Sequence, residues 1–509
     1  MSSTTNINTI PAELLSKIFS HVRDDSKIGQ ESIAQSRLVS RRFRDASSVF
    51  LVTEVSVCLN TESFARFETI CAHPIFSKGV QKVHILLSYY EVELANDKQL
   101  YMKEANSRLL RHWETMERMR GYRKRYDISD ELFRWLGNIA WSSSSDVQQL
   151  IRGEDLQAPP TPIQKLYLKA YDMYKTRFDD QESLRKDNAH IDRLVHALCS
   201  LPGLQSLNMD DTHGKKMIMR ETTQTKLGAN HLAPEDFTDT GYNRNILQHF
   251  DTFIRQSGWC GSFKTDGSRQ HNGELDISTI PPLEMLGELC SQLGENGVRP
   301  KQIRIALKPP PDMRLLTMSP AQQENVKRLV SQASGLTFRF DFFSRPHNLN
   351  ENPRDEMMAL GSITKPFFSA PNLEFLDIYF VEYPRYSTPT VSLGEILPLD
   401  MSWPRLETLR LQYQPMTIDE LRGLVSKHRS TVREFKLPSP WFLQGSVHDA
   451  LKTIRDFENL ESVSMTFPKG SDFRGTGTLD FKWPQDEIKS YLLKETDVFP
   501  LQDKLDYTR

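Results

Sequence analysis

The residues that could support catalysis or hold a metal ion are few, and they stand apart from one another. Asp210, Asp211 and His213 follow a predicted strand and could bind a metal ion or transfer a proton. No further ligand or acid–base partner occurs at a diagnostic spacing from them, so an ordinary polar loop is the favoured interpretation. The Gly-Thr-Gly sequence at 475–477 is too short for a dinucleotide fingerprint and indicates a turn.

Motifs of the common enzyme classes are absent from the sequence. It contains no Walker phosphate loop, no Gly-x-Ser-x-Gly nucleophile elbow and no His-Glu-x-x-His zinc motif. No cysteine lies in a motif that marks a thioester-forming nucleophile. We therefore expect a protein that is not an enzyme, with no catalytic residues, no metal site and no cofactor.

The five cysteines stand at positions 58, 71, 199, 260 and 290, and none of them forms a Cys-x-x-Cys pair. Their odd number and their spacing disfavour a disulfide framework and a zinc ribbon. We expect them to be small buried apolar side chains in a reducing compartment.

Length and composition bound the class of protein. A chain of 509 residues, 26% charged and 38% hydrophobic, predicts a soluble globular protein of about two to four domains. The net charge of -2 gives no general attraction to nucleic acid or to an anionic membrane. No segment has the roughly 18–20 apolar residues of a membrane span, and the opening MSSTTNINT does not resemble a secretory signal. We expect an intracellular protein, in the cytoplasm, the nucleus or both.

A basic run, RMRGYRKRY at 118–126, is the feature that most favours an anionic partner. It could bind phosphates or act as a nuclear signal. Glu104, Glu114 and Glu117 lie close to it, and aromatic stacking positions are sparse. A solvated helix end is therefore favoured, and nucleic-acid binding is not expected.

The elements that would position a function begin with an apolar helix, IPAELLSKIFSHV at 10–22. Pro11 suits the first helical turn, and Glu13 is favoured there by the helix dipole. The apolar residues form one stripe at helical spacing: Leu14, Leu15, Ile18, Phe19 and Val22. The helix should end near Arg23.

Two further short helices and a strand are predicted next. Ile33, Ala34 and Leu38 mark the second helix, and Ser40 can cap a third. Alternation in the sequence TEVSVCL predicts a strand. Three helices within roughly forty residues cannot hide all these apolar side chains from water. The excess must pack either on the rest of the chain or on a partner protein.

This N-terminal stretch resembles the F-box motif. Members of that family open with Leu-Pro-x-Glu-Leu/Ile-Leu-x-x-Ile-Phe and continue with Leu/Arg-x-Val-Cys/Ser-Arg/Lys-x-Trp/Phe. The matching residues are Pro11, Glu13, Leu14, Leu15, Ile18 and Phe19, followed by Leu38, Val39, Ser40, Arg41 and Phe43. Ile10 replaces the first leucine and Phe43 the commoner tryptophan, and the match covers residues 10–43 only.

The resemblance implies that the three helices bind the Skp-family adaptor of cullin–RING ubiquitin ligases and, through it, a cullin. The adaptor-binding residues that it implies are Ile10, Pro11, Leu14, Leu15, Ile18, Phe19, Leu38, Val39 and Phe43. Among them, Leu14, Leu15, Ile18 and Phe19 would be the anchors. An N-terminal helical cap packed on the rest of the chain stays open as the alternative.

A second pattern recurs through the remainder: an apolar residue, two others, an apolar residue, one other and an apolar residue. Clear copies start at Val80, Ile163, Leu204, Leu373, Leu406, Val432 and Leu460, and weaker ones lie at 303–307 and 336–340. The last four starts, 373, 406, 432 and 460, are 33, 26 and 28 residues apart. Helix starts are signalled between the copies by Thr417 with Glu420, Ser446 with Asp449, and Ser319 before Pro320.

Strand, helix and parallel strand at this period resemble the leucine-rich-repeat family. The copies are irregular and lack the family's Asn/Cys position, so a generic α/β domain with similar parallel strands stays open. The expected fold class is α/β: a small N-terminal three-helix F-box followed by an irregular leucine-rich-repeat-like solenoid of parallel strands and helices. The combination resembles F-box proteins of the fungal type.

The predicted organisation has four parts. They are a disordered tail at 1–8, an F-box domain at 9–60, a leucine-rich-repeat-like domain at 61–481, and a C-terminal tail or cap at 482–509. The polar segments near 91–160 and 210–275 interrupt the repeat spacing and are interpreted as insertions.

The resemblance implies the substrate-recognition subunit of an SCF-type ubiquitin ligase, and an adaptor-bound structural or regulatory protein outside ubiquitination is the alternative. In a solenoid, the side chains between the buried positions of each strand are available for a target protein. The candidates are Phe375, Asp377, Tyr379, Thr408, Arg410, Gln412, Glu434 and Lys436. Tyr379 and Arg410 are preferred because exposed tyrosine and arginine are enriched at binding hot spots. A merely solvated sheet face is the alternative for most of them, and the target itself is not identified by the sequence.

Overall fold

The computed structural model describes residues 10–23, 27–118, 147–153, 159–211, 282–308, 310, 313–341, 353–381, 392–471 and 483–501. The predicted tail at 1–8, His213, Cys260 and the turn at 475–477 lie outside the described residues. So do most of the basic run and most of the predicted insertion near 210–275.

Nine parallel strands form the main sheet, and their spatial order follows the chain from one edge to the other. They are β1 Glu54–Cys58, β2 Lys82–Leu86, β3 Ser206–Asp210, β4 Gln302–Leu307, β5 Gly335–Asp341, β6 Phe375–Val381, β7 Thr408–Gln412, β9 Glu434–Pro438 and β11 Ser462–Thr466. The short strands β8 Pro415–Thr417 and β10 Trp441–Gln444 pair with each other in a second sheet. The predicted α/β class and the parallel strands are therefore confirmed.

Helices connect successive strands, as parallel pairing requires. Their bounds are Ala12–Val22 (α1), Lys27–Ser36 (α2), Arg41–Ser47 (α3), Thr61–Ala72, Phe76–Gly79, Val92–Asn96, Lys98–Arg118, Pro162–Arg185, Ala189–Cys199, Glu284–Glu295, Pro320–Val330, Pro353–Phe368, Leu393–Ile396, Ile418–His428, Val447–Ile454 and Gln485–Leu492. Short 3-10 turns lie at Ser48–Phe50, Lys186–Asn188 and Met313–Leu316.

The helix starts predicted between the strands are confirmed by their caps. The Thr417 hydroxyl accepts a hydrogen bond from the Glu420 N–H at 3.1 Å, and the Glu420 carboxylate accepts one from the Thr417 N–H at 2.7 Å. Ser319 and Ser446 also accept a hydrogen bond from the first turn of their helices. Each cap satisfies backbone donors that would otherwise lack partners at a helix start.

Alternation within each strand decides which face of the sheet is buried. In β7, Leu409 and Leu411 are fully buried, whereas Thr408, Arg410 and Gln412 between them are half-buried. The strands pair in register, so the apolar positions align from strand to strand and meet the helices in one core. The main core therefore lies between the sheet and its helices, and it leaves the other face of the sheet polar.

A buried histidine is accommodated in this core as a neutral aromatic ring. His428 stacks on Trp403 with ring centroids 5.2 Å apart, and the Trp403 indole N–H donates to the Phe368 carbonyl at 3.0 Å. Burial lowers the pKa of His428 to about 4. The imidazole is therefore uncharged at neutral pH and packs as an apolar ring.

The sheet begins before the predicted domain boundary at residue 60. The strand Glu54–Cys58, which the prediction includes in the F-box domain, pairs in parallel with β2, with Val55 opposite Val83. Its apolar side chains belong to the main core. The N-terminal helical part therefore ends at the turn Ser48–Phe50.

The predicted strand at Ile163 is wrong, because this copy of the pattern lies in helix Pro162–Arg185. Thr161 and Gln164 form a capping box, with hydrogen bonds of 3.3 and 2.9 Å. A short apolar run does not distinguish a strand from a helix, and the cap decides here. By contrast, both weaker copies of the pattern are strands, β4 and β5.

The segment between β2 and β3 forms a second core of its own. Its buried aromatic residues are Tyr90, Tyr101, Tyr167, Tyr174 and Phe178. The buried Gln181 side chain accepts a hydrogen bond from the Tyr90 N–H at 2.8 Å and donates one to the Tyr90 carbonyl at 3.2 Å. The predicted insertion near 91–160 is thus, where described, a packed helical layer that continues to Arg185.

The helix Gln485–Leu492 covers the main core beyond the last strand. Ile488, Tyr491 and Leu492 are buried in that core, and the Trp483 indole N–H donates to the Met465 carbonyl at 2.7 Å. The predicted C-terminal tail or cap at 482–509 includes this helix.

Two glycines on helix Glu284–Glu295 have opposite surroundings. A Cβ at Gly294 would lie 1.9 Å from the Asn325 carbonyl oxygen of the next helix, whereas one at Gly287 would meet no atom within 4 Å. We expect Gly294→Ala to lower the free energy of unfolding by about 1–3 kcal/mol, because the two helices must separate. Gly287→Ala, the matched control, should raise it by about 0.5–1 kcal/mol. Thermal unfolding of both variants measures this difference, and equal midpoints would contradict the close packing.

Candidate partner-binding surfaces

The helices α1, α2 and α3 form an N-terminal unit with a small core of its own. Leu15, Phe19, Ile33 and Phe43 are buried together, and the rings of Phe19 and Phe43 meet edge to face with centroids 5.5 Å apart. The Ser40 hydroxyl caps α3 by accepting a hydrogen bond from the Phe43 N–H at 3.2 Å. This cluster is separate from the main core, so the unit is held together by few side chains.

Three of the predicted adaptor-binding residues are interior residues of the unit. Leu15, Phe19 and Phe43 are 1%, 4% and 9% exposed. They have no surface to offer a partner in this arrangement, because they fill the space between the three helices. In this structure they form the supporting core of the unit, and their role as partner contacts stays a prediction. Ile10 is half-buried against the same core, and Pro11 is exposed at the start of α1.

The other side of α1 presents an apolar stripe to solvent. Leu14 is 52% exposed, Ile18 is 46% exposed, and Val22 is exposed one turn further along. The spacing of four residues places these side chains on one face of the helix, and we call them the α1 stripe. Twelve large apolar side chains are well exposed among the described residues, and six of them lie between residues 14 and 39. Apolar exposure is therefore concentrated in the N-terminal unit.

Leu38 and Val39 extend this exposure into the turn before α3, where they are 80% and 66% exposed. In the first turn of α3, the Arg42 guanidinium donates a hydrogen bond to the Ile10 carbonyl. This bond holds the starts of α1 and α3 together. The exposed turn therefore lies toward the same end of the unit as Leu14.

The N-terminal unit is fixed to the edge of the main sheet. Arg23, directly after α1, donates a hydrogen bond from Nε to the Phe50 carbonyl at 3.0 Å. Gly79 lies so close to the turn Ser48–Phe50 that an added Cβ would stand 1.7 Å from the Val49 carbonyl oxygen. These contacts give the α1 stripe a defined orientation relative to the sheet.

The second surface is the polar face of the main sheet, on the side away from the helices. Asp377 on β6 accepts hydrogen bonds from Arg339 on β5 at 2.6 Å and from Gln412 on β7 at 2.8 Å. The Arg339 guanidinium also lies 5.8 Å from the centre of the Tyr379 ring. The Asp377 side chain is only 3% exposed. It therefore holds Arg339 and Gln412 in position on this face, and its predicted contact with a target stays a prediction.

Glu434 organises a second network on the neighbouring strands. Its carboxylate pairs with Arg410 at 2.8 Å and with Lys436 at 2.6 Å. The hydrogen bond from Lys436 is the largest cause of a lowered pKa of Glu434, and the bond from Arg410 adds to it. The Arg410 guanidinium also lies 5.2 Å from the centre of the Phe375 ring. The carboxylate stays ionised and holds both cations in place.

All eight predicted target-binding residues lie on this polar face. They are Phe375, Asp377 and Tyr379 on β6, Thr408, Arg410 and Gln412 on β7, and Glu434 and Lys436 on β9. All except the buried Asp377 are half-buried. The structure thus joins most of these side chains in two networks, which the sequence did not indicate.

Four residues of these surfaces were missed by the sequence predictions. Ile28 on α2 is highly exposed, and no apolar periodicity marks it. Arg304 and Arg339 lie on strands that follow the weaker copies of the pattern, where alternation would have identified them. Tyr413 packs edge to face on Tyr379 with centroids 5.5 Å apart, a contact that no sequence signal indicates.

The described residues offer no site for metal chemistry. They contain no group of three or more His, Cys, Asp or Glu side chains that could hold a metal ion. The Asp211 carboxylate, which directly follows β3, accepts a hydrogen bond from the Lys308 N–H at 2.9 Å. This bond gives Asp211 a structural role, whereas Asp210 is the last residue of β3 and does not lie in the predicted loop.

Four cysteines lie in the described part of the chain, and all are free thiols. Cys58, Cys71 and Cys290 are buried as predicted, and burial raises the pKa of the Cys71 thiol to about 12. Cys199 is exposed, which corrects the expectation of burial for that residue.

No helix among the described residues is long and apolar enough to cross a bilayer.

Comparisons with known proteins found no relative. No protein-family model matches the sequence, and neither the curated proteins nor the solved structures contain a match. The two surfaces and the sequence motifs are therefore the basis for a functional proposal.

The core of the N-terminal unit can be tested by removing one buried ring. We expect Phe19→Ala to unfold residues 12–47 while the sheet stays folded, because such truncations cost about 3–5 kcal/mol and the unit is small. Ile18→Ala, the neighbouring control, shortens an exposed side chain and should leave the unit folded. Limited proteolysis with mass spectrometry should show rapid cleavage within residues 12–47 for Phe19→Ala only. Equal resistance of the two variants would contradict the assigned core.

Proposed function

We propose that this protein is the substrate-recognition subunit of a cullin–RING ubiquitin ligase of the SCF type. Its N-terminal unit binds the Skp-family adaptor, and the polar face of its sheet binds a target protein. The resemblance of residues 10–43 to the F-box motif and the exposure of the α1 stripe both support the adaptor contact. The chain itself performs no bond chemistry in this role.

The α1 stripe is the observation that carries the proposal. Leu14 and Ile18 are about half exposed on a unit whose interior is already filled by other apolar side chains. A concentration of exposed apolar side chains is typical of a protein-interaction site. An amphipathic helix can place residues at this spacing into the groove of a partner.

The expected strength of this contact follows from the area that it buries. Fully burying one such side chain contributes about 1.5–3 kcal/mol, before the entropic cost of association. Leu14 and Ile18, together with the exposed Leu38 and Val39 of the same unit, would supply most of this apolar contribution. The fixed attachment of the unit avoids a further ordering cost on binding.

The main sheet supports the target-binding half of the proposal. Its parallel strands follow one another in chain order, with helices on one face, and this arrangement favours the leucine-rich-repeat-like assignment. A target held on the polar face would meet a ubiquitin-charged enzyme at high effective concentration. The role places the protein inside the cell, in the cytoplasm, the nucleus or both.

The adaptor contact is tested by placing charge on the α1 stripe. We expect the double variant Leu14→Asp/Ile18→Asp to bind the Skp-family adaptor at least about 100-fold more weakly, because two apolar contacts are replaced by buried carboxylates. Biolayer interferometry with the purified full chain measures the affinity, and circular dichroism checks that the variant is folded.

Met358→Asp is the control, because Met358 is an exposed apolar residue outside the N-terminal unit, 68% exposed against 52% for Leu14. It should bind the adaptor as the unchanged chain does. Full adaptor binding by the double variant would overturn the proposal. Recovery of a cullin with the adaptor-bound chain supports the ligase role, whereas an adaptor complex that never recruits a cullin indicates a structural or regulatory role outside ubiquitination.

A further inference from the structure

The polar face of the sheet carries an excess of positive charge on the strands β4 to β9. Among its described side chains, the cations are Arg304, Arg339, Arg410 and Lys436, and the carboxylates are Asp377 and Glu434. Four cations against two carboxylates give these described side chains a net charge of +2, although the whole chain carries -2. The described charges of these strands therefore differ in sign from the net charge of the chain.

This excess lies at the two ends of one row of side chains. The register places Arg304 opposite Thr337, then Asp377, Arg410 and Lys436 on successive strands. At the centre of the row, Asp377 is neutralised by Arg339. The row is therefore positive at Arg304, neutral in the middle, and positive again at Arg410 and Lys436.

Arg304 stands at one end without an anionic partner. It is exposed, and the described part of the chain provides neither a hydrogen bond nor an ion pair for its guanidinium. Burial lowers the pKa of His84 two strands away; the charge of Asp210 opposes this effect, and the charge of Arg304 adds to it. The guanidinium is thus free to pair with an anion from outside the chain.

At the other end, two cations share a single carboxylate. Arg410 and Lys436 both contact Glu434, at 2.8 and 2.6 Å. The Phe375 ring lies against the Arg410 guanidinium and supports it from one side. One unit of positive charge is left over in this group, on side chains that are about a third exposed.

The distance between the two ends of the row sets the spacing of the anionic groups that a ligand would need. Neighbouring strands lie about 4.8 Å apart, so Arg304 on β4 and Arg410 on β7 are separated by about 14 Å, and Lys436 is one strand further. An extended peptide advances about 3.3 Å per residue. Two acidic residues spaced about four to six residues apart would therefore reach both ends at once.

We propose that the polar face binds an acidic segment of the target protein, extended across strands β4 to β9, with one carboxylate at Arg304 and a second at Arg410 and Lys436. The inference rests on the proposed function, because that function assigns the target to this face. Electrostatic complementarity supplies the specificity, and the Arg410 guanidinium is already held in place by Glu434 and the Phe375 ring. The neutral centre of the row would accept uncharged residues of the segment.

Selection from a displayed library of random 12-residue peptides on the immobilised full chain tests this inference. Selected peptides should be enriched in Asp and Glu, with two acidic positions about four to six residues apart. A fluorescein-labelled peptide of the selected sequence should bind Arg304→Glu at least about tenfold more weakly than the unchanged chain. Its affinity should also fall as salt is added.

Lys327→Glu is the matched control, because it makes the same charge change at an exposed cation on the helical side. It should change the affinity less than about twofold. Selected peptides without enrichment in Asp and Glu would overturn the inference. So would an equal loss of peptide affinity in Arg304→Glu and Lys327→Glu. Displacement of the peptide by polyuridylic acid at lower concentration than by unlabelled peptide would overturn it in favour of a nucleic-acid face.

The two proposals fail in distinguishable ways. The chain with Leu14→Asp/Ile18→Asp should select the same acidic peptides, because its polar face is unchanged. A chain that binds the adaptor but selects no acidic peptides contradicts this inference alone. A chain that selects acidic peptides but binds no adaptor contradicts the proposed function and leaves the charge-based contact supported.

Discussion

In-register parallel pairing of the nine strands is the constraint on which the rest of the molecule depends. Because side chains alternate along a strand, register assigns Leu376, Leu409 and Phe435 to the core together and leaves the intervening residues on the polar face. A slip of one residue would exchange the two sets and bury Asp377 and Arg410 among apolar side chains. The same pairing therefore builds the core and aligns the charged row.

The N-terminal unit is governed by a different constraint, its small size. Leu15, Phe19, Ile33 and Phe43 fill the space between three short helices, and further apolar residues have no interior position left. They remain on the surface, as expected when surface is large relative to volume. Attachment through the turn Ser48–Phe50 then fixes this apolar surface at the β1 edge of the sheet. The chain thus holds its exposed apolar surface and the charged face of the sheet in fixed positions relative to each other.

Much of the fold could be predicted from the sequence, because period-two alternation and capping boxes are local signals. The strands β6, β7, β9 and β11 and the caps at Thr417 and Ser446 are examples. The strand predicted at Ile163 was wrong because a short apolar run also fits a helix face. Periodicity placed Leu14 and Leu15 on one stripe, but neighbouring helices decide which of them is buried, and that is tertiary information. The pairing of Asp377 with Arg339 depends likewise on sheet register, which no local pattern reveals.

Hydrogen–deuterium exchange of the full chain, with and without saturating Skp-family adaptor, tests the central claim most directly. The claim is that the N-terminal unit is a folded, exposed contact surface and that the sheet is not part of this contact. Exchange should slow in α1 and in the turn before α3 on adding the adaptor, while the strands of the main sheet keep their rates. Unchanged exchange in α1, or protection confined to the sheet, would contradict the account.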